Sequence, residues 1–372
     1  MDSVDLYRTG PDTPGGRYMR LFWHPVYLAK DLKPGWAKPV RIMGEDFTLY
    51  RGEGGTPHLV AFRCAHRGMQ LSVGWIEGDS IRCRYHGWRY DGNGQCVEVP
   101  TEDSSVAKTI RIRNYPTKEY LGLVFGYLGE GDAPPFPRYP DFEKDGVIWT
   151  ETYVRPCNLF NNLENDPVHI PFAHRESEIF RNAPIEIPLK VEAEESEWGI
   201  TLNTTFPGGR VHVAQHGWPN VRSFKAPDRD HIAWRVPVDD ESHASFQVDI
   251  MHATKGEEGE IYRRRHAARE GKVGRSYDEL AEAVLRGELR IQDIQGDDAA
   301  NFIWIQDYVT QVGQGRFADR RSERLIRADA GVLLYRKVWE REVLAFAEKK
   351  PVKQWVRSES LQAAYSHQRA AR

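Results

Sequence analysis

The chain has 372 residues, about two domains at the usual size, and its 51 Lys and Arg against 54 Asp and Glu leave a net charge of −3. That balance excludes a basic nucleic-acid-binding chain and an acidic tail, and 11 Trp, 16 Tyr and 15 Phe exclude a disordered one. No apolar run approaches the roughly 18 residues of a membrane span, no signal peptide precedes the first strands, and four Cys are too few for a disulfide framework, so the expectation is a soluble cytoplasmic protein with no nucleic-acid or membrane partner.

Up to about residue 130 the chain reads as β-structure. Short runs such as 40–42 and 47–50 are separated by Gly and Asp turns at 52–55, 78–79 and 91–94. A small barrel or sandwich fits that pattern. The prolines of 129–140 prevent regular structure and mark a linker. The expected division is 1–135 and 136–372. In the second part, strands are expected at 199–205, 232–238 and 245–251. A helix follows Ser276, whose spacing to Glu279 is that of a capping box, with Tyr277, Leu280, Ala281, Val284 and Leu285 on one stripe and Gly287 at its end. Residues 302–315 read as a further helical run. Val332, Tyr335, Trp339, Val343 and Phe346 form another stripe, and both stripes read as core. Strands followed by helices make this an α+β domain, with an antiparallel sheet flanked by helices.

Two short segments carry metal-ligand chemistry. Cys64-Ala-His66 stands nineteen positions before Cys83-Arg-Tyr-His86, and Gly68 and Gly87 allow tight turns in both. Four such ligands on two loop tips make a metal site. Zinc sites usually pair Cys with Cys and His with His. The interleaving here suits a two-iron cluster with both thiolates on one iron and both imidazoles on the other, the Rieske arrangement. Cys96 and Cys157 fall outside the pattern and read as buried thiols.

The second segment runs from Asn158 to His174. On a helix Asp166 and His169 share a face. His174 would point roughly 140° away from His169 on an unbroken helix, but Pro171 between them bends the path. Two imidazoles of this kind lack a carboxylate to complete the 2-His-1-carboxylate triad of non-haem Fe(II) oxygenases. Asp293, Asp297, Asp298 and Asp307 are candidates. Asp307 is preferred, because a carboxylate among Ile303, Trp304, Ile305 and Tyr308 must be paired or metal-bound if buried.

Over about residues 18–350 the chain resembles the catalytic α subunit of Rieske non-haem iron oxygenases, in the phthalate-dioxygenase-like branch. The resemblance rests on Cys64-Ala-His-Arg-Gly68, Cys83-Arg-Tyr-His-Gly-Trp88, Asp166-x2-His169-x4-His174, Gln306-Asp307-x3-Gln-x-Gly-Gln-Gly315 and Asp319-Arg-Arg-Ser-Glu323. Ala65 and Arg84 replace the family's usual prolines, and Gln306 replaces a frequent Glu. The resemblance implies a [2Fe-2S] cluster on Cys64, His66, Cys83 and His86, a mononuclear Fe(II) on His169, His174 and Asp307, and O2 as co-substrate. It implies that Asp166 bridges the two centres, accepting hydrogen bonds from His169 and from His86 of the partner subunit, within a homotrimer. Asn162 then lies near the iron, or else caps its helix. The implied activity is ring hydroxylation or O- or N-demethylation of an aromatic substrate; the rival readings are an electron carrier without oxygenase activity and a zinc-stabilised module. No G-x-G-x-x-G opens a helix, so electrons are expected from an NAD(P)H-dependent reductase or a ferredoxin, docked on a basic set of Arg63, Arg67, Arg82, Arg84 and Arg89. Arg210, Arg222 and His212 are candidates for a substrate carboxylate.

Overall fold

The computed structural model describes residues 6–143, 146–165, 170–177, 181, 185–225, 229–251 and 275–355. Eleven short strands build the N-terminal part. β1 (Trp23–Leu28), β10 (Thr117–Tyr120) and β11 (Leu123–Tyr127) form one antiparallel sheet in the order β1-β11-β10. A second contains β2 (Ala37–Ile42), β3 (Glu45–Arg51), β4 (Pro57–Ala61) and β9 (Asn114–Tyr115). A third, with strands paired in chain order, contains β5 (Trp75–Glu77), β6 (Ser80–Arg82), β7 (Arg89–Tyr90) and β8 (Cys96–Glu98). The runs at 40–42 and 47–50 fall inside β2 and β3. Met43 and Gly44 both have positive φ, which suits the two-residue turn joining them. Tyr50, Val60, Leu71, Ile76, Ile81 and Tyr90 make a small core beneath the two Cys-His loops.

Residues 129–139 have no regular structure, as their prolines require. Beyond them stands a seven-stranded antiparallel sheet of β12 (Val147–Arg155), β13 (Lys190–Glu195), β14 (Gly199–Thr205), β15 (Val211–Gly217), β16 (Val221–Lys225), β17 (Arg229–Asp239) and β18 (Ser242–Met251), ordered β12-β18-β17-β16-β15-β14-β13. Period-two alternation divides its central strands cleanly. Ile232, Trp234 and Val236 pair with Val248, Phe246 and Ala244 and face a core shared with β1 and β11. On the other face His231, Arg235 and Pro237 stand opposite Asp249, Ser245 and His243, and Tyr153 of β12 extends the Ser245 row. That polar face looks toward the helices.

Among the described residues the helices are α1 (Pro14–Met19), α2 (Ser104–Lys108), α3 (Leu159–Leu163), α4 (Ile170–Ala173), α5 (Tyr277–Leu285), α6 (Phe302–Val312) and α7 (Ala330–Ala347). α5 starts after Ser276 and stops at Gly287 (φ +73°), as its sequence predicts. The capping box, however, does not form: Asp278 Oδ1 takes both the Ser276 hydroxyl and the Glu279 N–H, so Ser276 makes no side-chain cap. α7 buries Val332, Tyr335, Trp339 and Val343, and Gly331 lets its first turn approach Leu202, where a Cβ would come within 2.2 Å of a methyl. Among the described residues no helix is long and apolar enough to cross a membrane.

Candidate metal centres

The two Cys-His loops share one design. Each cysteine N–H reaches the carbonyl five residues on, Cys64 to Met69 at 2.8 Å and Cys83 to Trp88 at 2.8 Å. Each glycine N–H returns to the cysteine carbonyl, Gly68 to Cys64 at 3.0 Å and Gly87 to Cys83 at 3.1 Å. Both glycines are left-handed, with φ of +72° and +75°. The arginine before each cysteine donates to the glycine carbonyl, Arg63 to Gly68 at 2.9 Å and Arg82 to Gly87 at 2.8 Å. Arg-Cys-x3-Gly is thus a repeated structural unit, and Arg63 and Arg82 close its loops, a role beyond the docking expected of them.

These loops sort the ligands by chemistry. Cys64 and Cys83 are 3% and 2% exposed and unbridged. His66 and His86 are exposed above them, ring centroids 4.5 Å apart, with Trp88 stacked on His66 at 4.6 Å and Tyr85 lying 3.8 Å from His86. Burial pushes the Cys64 thiol up, opposed by the hydrogen bond from Tyr90. The Ala65 N–H donates to the Tyr90 oxygen at 3.2 Å, which leaves the Tyr90 proton for Cys64 Sγ, also at 3.2 Å. Two buried sulfurs side by side beneath two outward imidazoles fit a two-iron cluster with a sulfur-ligated inner iron and a nitrogen-ligated outer one.

Two of the five arginines of the expected basic docking set are neutralised. Arg82 pairs with Glu77 at 2.8 Å and Glu98 at 2.8 Å, and Arg89 with Glu98 at 3.1 Å. Glu77 is held down to about 2 by its hydrogen bonds from Arg82 and Trp75. Arg63, Arg67 and Arg84 remain exposed. Arg67 lies 5.6 Å over Tyr85, itself 56% exposed, and Arg84 lies 5.0 Å over Trp75.

His174 follows α4, a single turn containing Pro171, and Asp307 projects from α6. His174 Nε2 and Asp307 Oδ1 lie 3.4 Å apart. Two ligands about 2.1 Å from one ion at a right angle would be about 3 Å apart. Burial opposes charge on His174, but Asp307, aided by Gln306, outweighs it and raises the imidazole. On the other side of the ring, Nδ1 lies 3.3 Å from Gln306 Oε1, and Gln306 Nε2 donates to Glu176 at 2.9 Å. Two rival carboxylates are committed elsewhere: Asp293 pairs with Arg290 at 2.7 Å and Asp298 with Arg275 at 2.9 Å. Asp297 is exposed. Asp166 and His169 lie outside the described residues. Among the described residues no three His, Cys, Asp or Glu gather around one ion.

Asn162 is buried on α3, and its amide is fully engaged. Nδ2 donates to the Tyr153 hydroxyl at 3.2 Å and to His243 Nε2 at 3.1 Å, while Oδ1 accepts from Arg235 Nε at 2.8 Å. The helix cap is Asn158, whose Oδ1 takes the Phe160 N–H at 3.1 Å. Burial, aided by Arg155 and Arg235, lowers His243 to about 3, so it stays neutral and can accept from Asn162 while its Nδ1–H donates to Cys157 O at 2.8 Å. Arg222 is spent on the end of α3, donating to the carbonyls of Asn162 at 3.4 Å and Asn165 at 2.5 Å. Arg210 pairs with Glu186 on the exposed β14–β15 turn, and His212 is exposed. Arg210 and Arg222 are therefore already occupied. No sequence signal marked the Asn162 network, because its members come from four separate elements.

Residues 22–116 match the family model described as the Rieske [2Fe-2S] domain. Over 359 residues the chain is 31% identical to the oxygenase subunit of 5,5'-dehydrodivanillate O-demethylase from Sphingobium sp. (strain NBRC 103272 / SYK-6), covering 91% of this chain and 78% of that one. The chain belongs to the oxygenase subunits of the Rieske oxygenases. A second relative, phenoxybenzoate dioxygenase subunit alpha from Ectopseudomonas oleovorans, is 29% identical over 361 residues, covering 89% of this chain and 82% of that one. The same fold occurs in the reduced complex between oxygenase and ferredoxin of carbazole 1,9a-dioxygenase, with a TM-score of 0.62 at 22% identity over 96% of this chain and 93% of that one. This Rieske oxygenase subunit is the terminal component of its system, a mono- or dioxygenase that uses O2, a Rieske [2Fe-2S] cluster and a mononuclear iron. Its all-β N-terminal domain and α+β catalytic domain are those the sequence led us to expect.

Proposed function

We propose that this oxygenase hydroxylates an aromatic substrate, or removes an O- or N-alkyl group by hydroxylating the carbon beside the heteroatom, at an iron held by His169, His174 and Asp307. The observation that carries this reading is the 3.4 Å approach of an imidazole nitrogen and a carboxylate oxygen beside the polar face of the sheet. When bound, the mononuclear iron supplies O2 activation and the cluster supplies electrons singly. The chain's own part is positioning. Arg235 and Asn162 fix each other beside Tyr153, and Trp304 closes edge-on against the Tyr153 ring at 4.8 Å, an aromatic pair at the edge of the polar face. Farther along the same face His231 Nδ1 and Asp249 Oδ1 meet at 2.8 Å and offer polar contacts to a substrate substituent. Both relatives are named for aromatic compounds, which supports that substrate class. Which C–H faces the iron decides between hydroxylation and dealkylation.

Electrons enter from a ferredoxin or an NAD(P)H-dependent reductase, docked over His66 and His86 on Arg63, Arg67, Arg84, Tyr85 and Trp75. The carbazole system, in which a ferredoxin binds the oxygenase, supports this partner. The subunits form a homotrimer in which Asp166 bridges His169 and His86 of the partner subunit, with the domain boundary between 135 and 136. Four unbridged cysteines accord with the cytoplasm.

Metal analysis and O2 uptake test the reading. Purified protein should hold about three irons per chain, two in the cluster and one beyond it. O2 uptake with a panel of aromatic acids, ethers and amines should identify the substrate, and formaldehyde release would mark demethylation. About two irons per chain after anaerobic Fe(II) reconstitution, with no substrate-coupled O2 uptake, would sink it. Co-expressing Asp166→Asn and His86→Ala chains tests the bridge: mixed trimers should regain part of the activity that each homotrimer lacks, and no recovery would count against it.

A further inference from the structure

The ring of His174 is addressed from both sides, and the side away from Asp307 is built with unusual economy. Gln306 is fully buried on α6, next in sequence to Asp307, and Glu176 sits two residues after His174. The three side chains make a line: His174 Nδ1 to Gln306 Oε1 at 3.3 Å, then Gln306 Nε2 to Glu176 Oε2 at 2.9 Å. A carboxylate offers only acceptors, so the amide must turn its NH2 toward Glu176. Its carbonyl oxygen then faces His174 and also can only accept, which requires a proton on His174 Nδ1. Nε2 faces the other way, toward Asp307 Oδ1 at 3.4 Å, so it is the ring nitrogen from which an ion would displace a proton. We propose that Glu176 and Gln306 are positioning residues that together hold the proton on Nδ1 of His174 and leave Nε2 as its metal-binding atom, with the amide at 306 matched to the carboxylate at 176.

This assignment rests on the proposed role of His174 as an iron ligand and goes beyond it. It gives a physical reason for Gln306, which the family resemblance marks only as a departure from a frequent Glu. With Glu176 already opposite, a second carboxylate at 306 would face it across a hydrogen-bond distance with no donor between. The amide carries the orienting effect of Glu176 to the imidazole without adding charge beside Asp307. Glu176 is itself steadied from its own loop: Arg175 Nε lies 3.8 Å from its Oε1, and Arg181 donates to its backbone carbonyl at 3.4 Å. Partners of this kind typically change metal affinity 10- to 100-fold when removed.

The test is a reciprocal swap. Protein with its cluster intact would be stripped of mononuclear iron by a chelator and titrated with Fe(II), with the nitric oxide adduct read by electron paramagnetic resonance. Glu176→Ala and Gln306→Glu should each weaken Fe(II) binding by about 10- to 100-fold, with the visible absorption of the cluster unchanged. The double variant E176Q/Q306E restores a one-way line, with Glu at 306 accepting from His174 and Gln at 176 donating to it. It should return to within about threefold of the parent, a non-additivity expected of directly coupled side chains. Parent-like Fe(II) binding by both single variants, or a double variant no better than Gln306→Glu, would overturn the proposal. A second readout is independent of metal: the 15N resonances of His174 in metal-free protein should show Nδ1 protonated in the parent and a smaller protonated share of Nδ1 in Gln306→Leu at the same pH. A parent whose Nδ1 carries no proton would also overturn it. A parent with Nδ1 protonated that takes up no Fe(II) would instead refute the ligand role of His174 and leave the Nδ1 assignment standing.

Discussion

The two centres of this oxygenase are built on opposite plans. At the cluster tip, the four proposed ligands fall within 23 consecutive residues, and each loop is closed by hydrogen bonds between residues no more than five apart. At the proposed iron site, His174 after α4 and Asp307 on α6 stand more than 130 residues apart in the chain, and the network around neighbouring Asn162 draws on β12, β17 and β18. The tip therefore depends on local turn chemistry, whereas the iron centre depends on the packing of the whole catalytic domain. Damage to one should leave the other standing, and damage to distant packing should reach only the second.

The most severe break of that symmetry is loss of a cluster ligand. Cys83→Ala should remove the visible absorption and all turnover while Fe(II) still binds the second site, as metal analysis and spectroscopy would show. The mirror experiment, Asp307→Ala, should lower iron from about three to about two per chain with the cluster spectrum untouched; a bleached cluster would mean the centres are not independent. Next in size is Glu164, which binds both Arg320 at 2.8 Å and Arg336 at 2.6 Å at the end of α3, with little exposure on any of the three. Glu164→Ala leaves Arg336 to Glu323 alone and Arg320 with only a 4.0 Å approach to Glu323, and should cost about 1.5–3 kcal/mol in urea unfolding, with mononuclear iron lost at lower urea than the cluster.

Acid provides a milder probe. His243 is held near 3 by burial, against about 6.5 in the unfolded chain. Between those values the unfolded state binds the extra proton, so this stabilising contribution is complete above pH 6.5 and declines as the pH falls toward 3. It should fall by up to about 1.4 kcal/mol per pH unit. Unfolding curves at pH 7.5 and 5 should diverge less in His243→Gln than in the parent. Smallest of all, Arg84→Glu at the tip should slow reduction by an acidic ferredoxin about tenfold at low salt, with the difference shrinking as salt is added and kcat under saturating reductant unchanged.

The same division explains what the sequence revealed. The tip was legible because its ligands, glycines and turns are neighbours in the chain, and β14 was readable to its ends because alternation is a local property. Asp307 was singled out by one clear conflict, a carboxylate in an apolar stretch. The partners of that site were not legible. In sequence Gln306 is a mere substitution, and only the fold sets Glu176 across from it; likewise only the fold gives the cap to Asn158 and frees Asn162 for the interior. The basic set at the tip was misjudged because β-pairing brings Glu77 and Glu98 alongside Arg82 and Arg89. A count of charges along the chain does not show which of them cancel across strands.

The β2–β3 turn has one further consequence. Its Met43 and Gly44 N–H groups are bonded to the carbonyls of Pro237 and Val238 in the catalytic sheet, both at 2.8 Å, and the hydrophobic core runs on beneath them from β1 to α7. A redox head fastened in this way cannot swing between donor and acceptor as a tethered carrier would. Its electrons must travel to whatever docks against the exposed imidazoles, so the distance they cross is set by how neighbouring molecules meet.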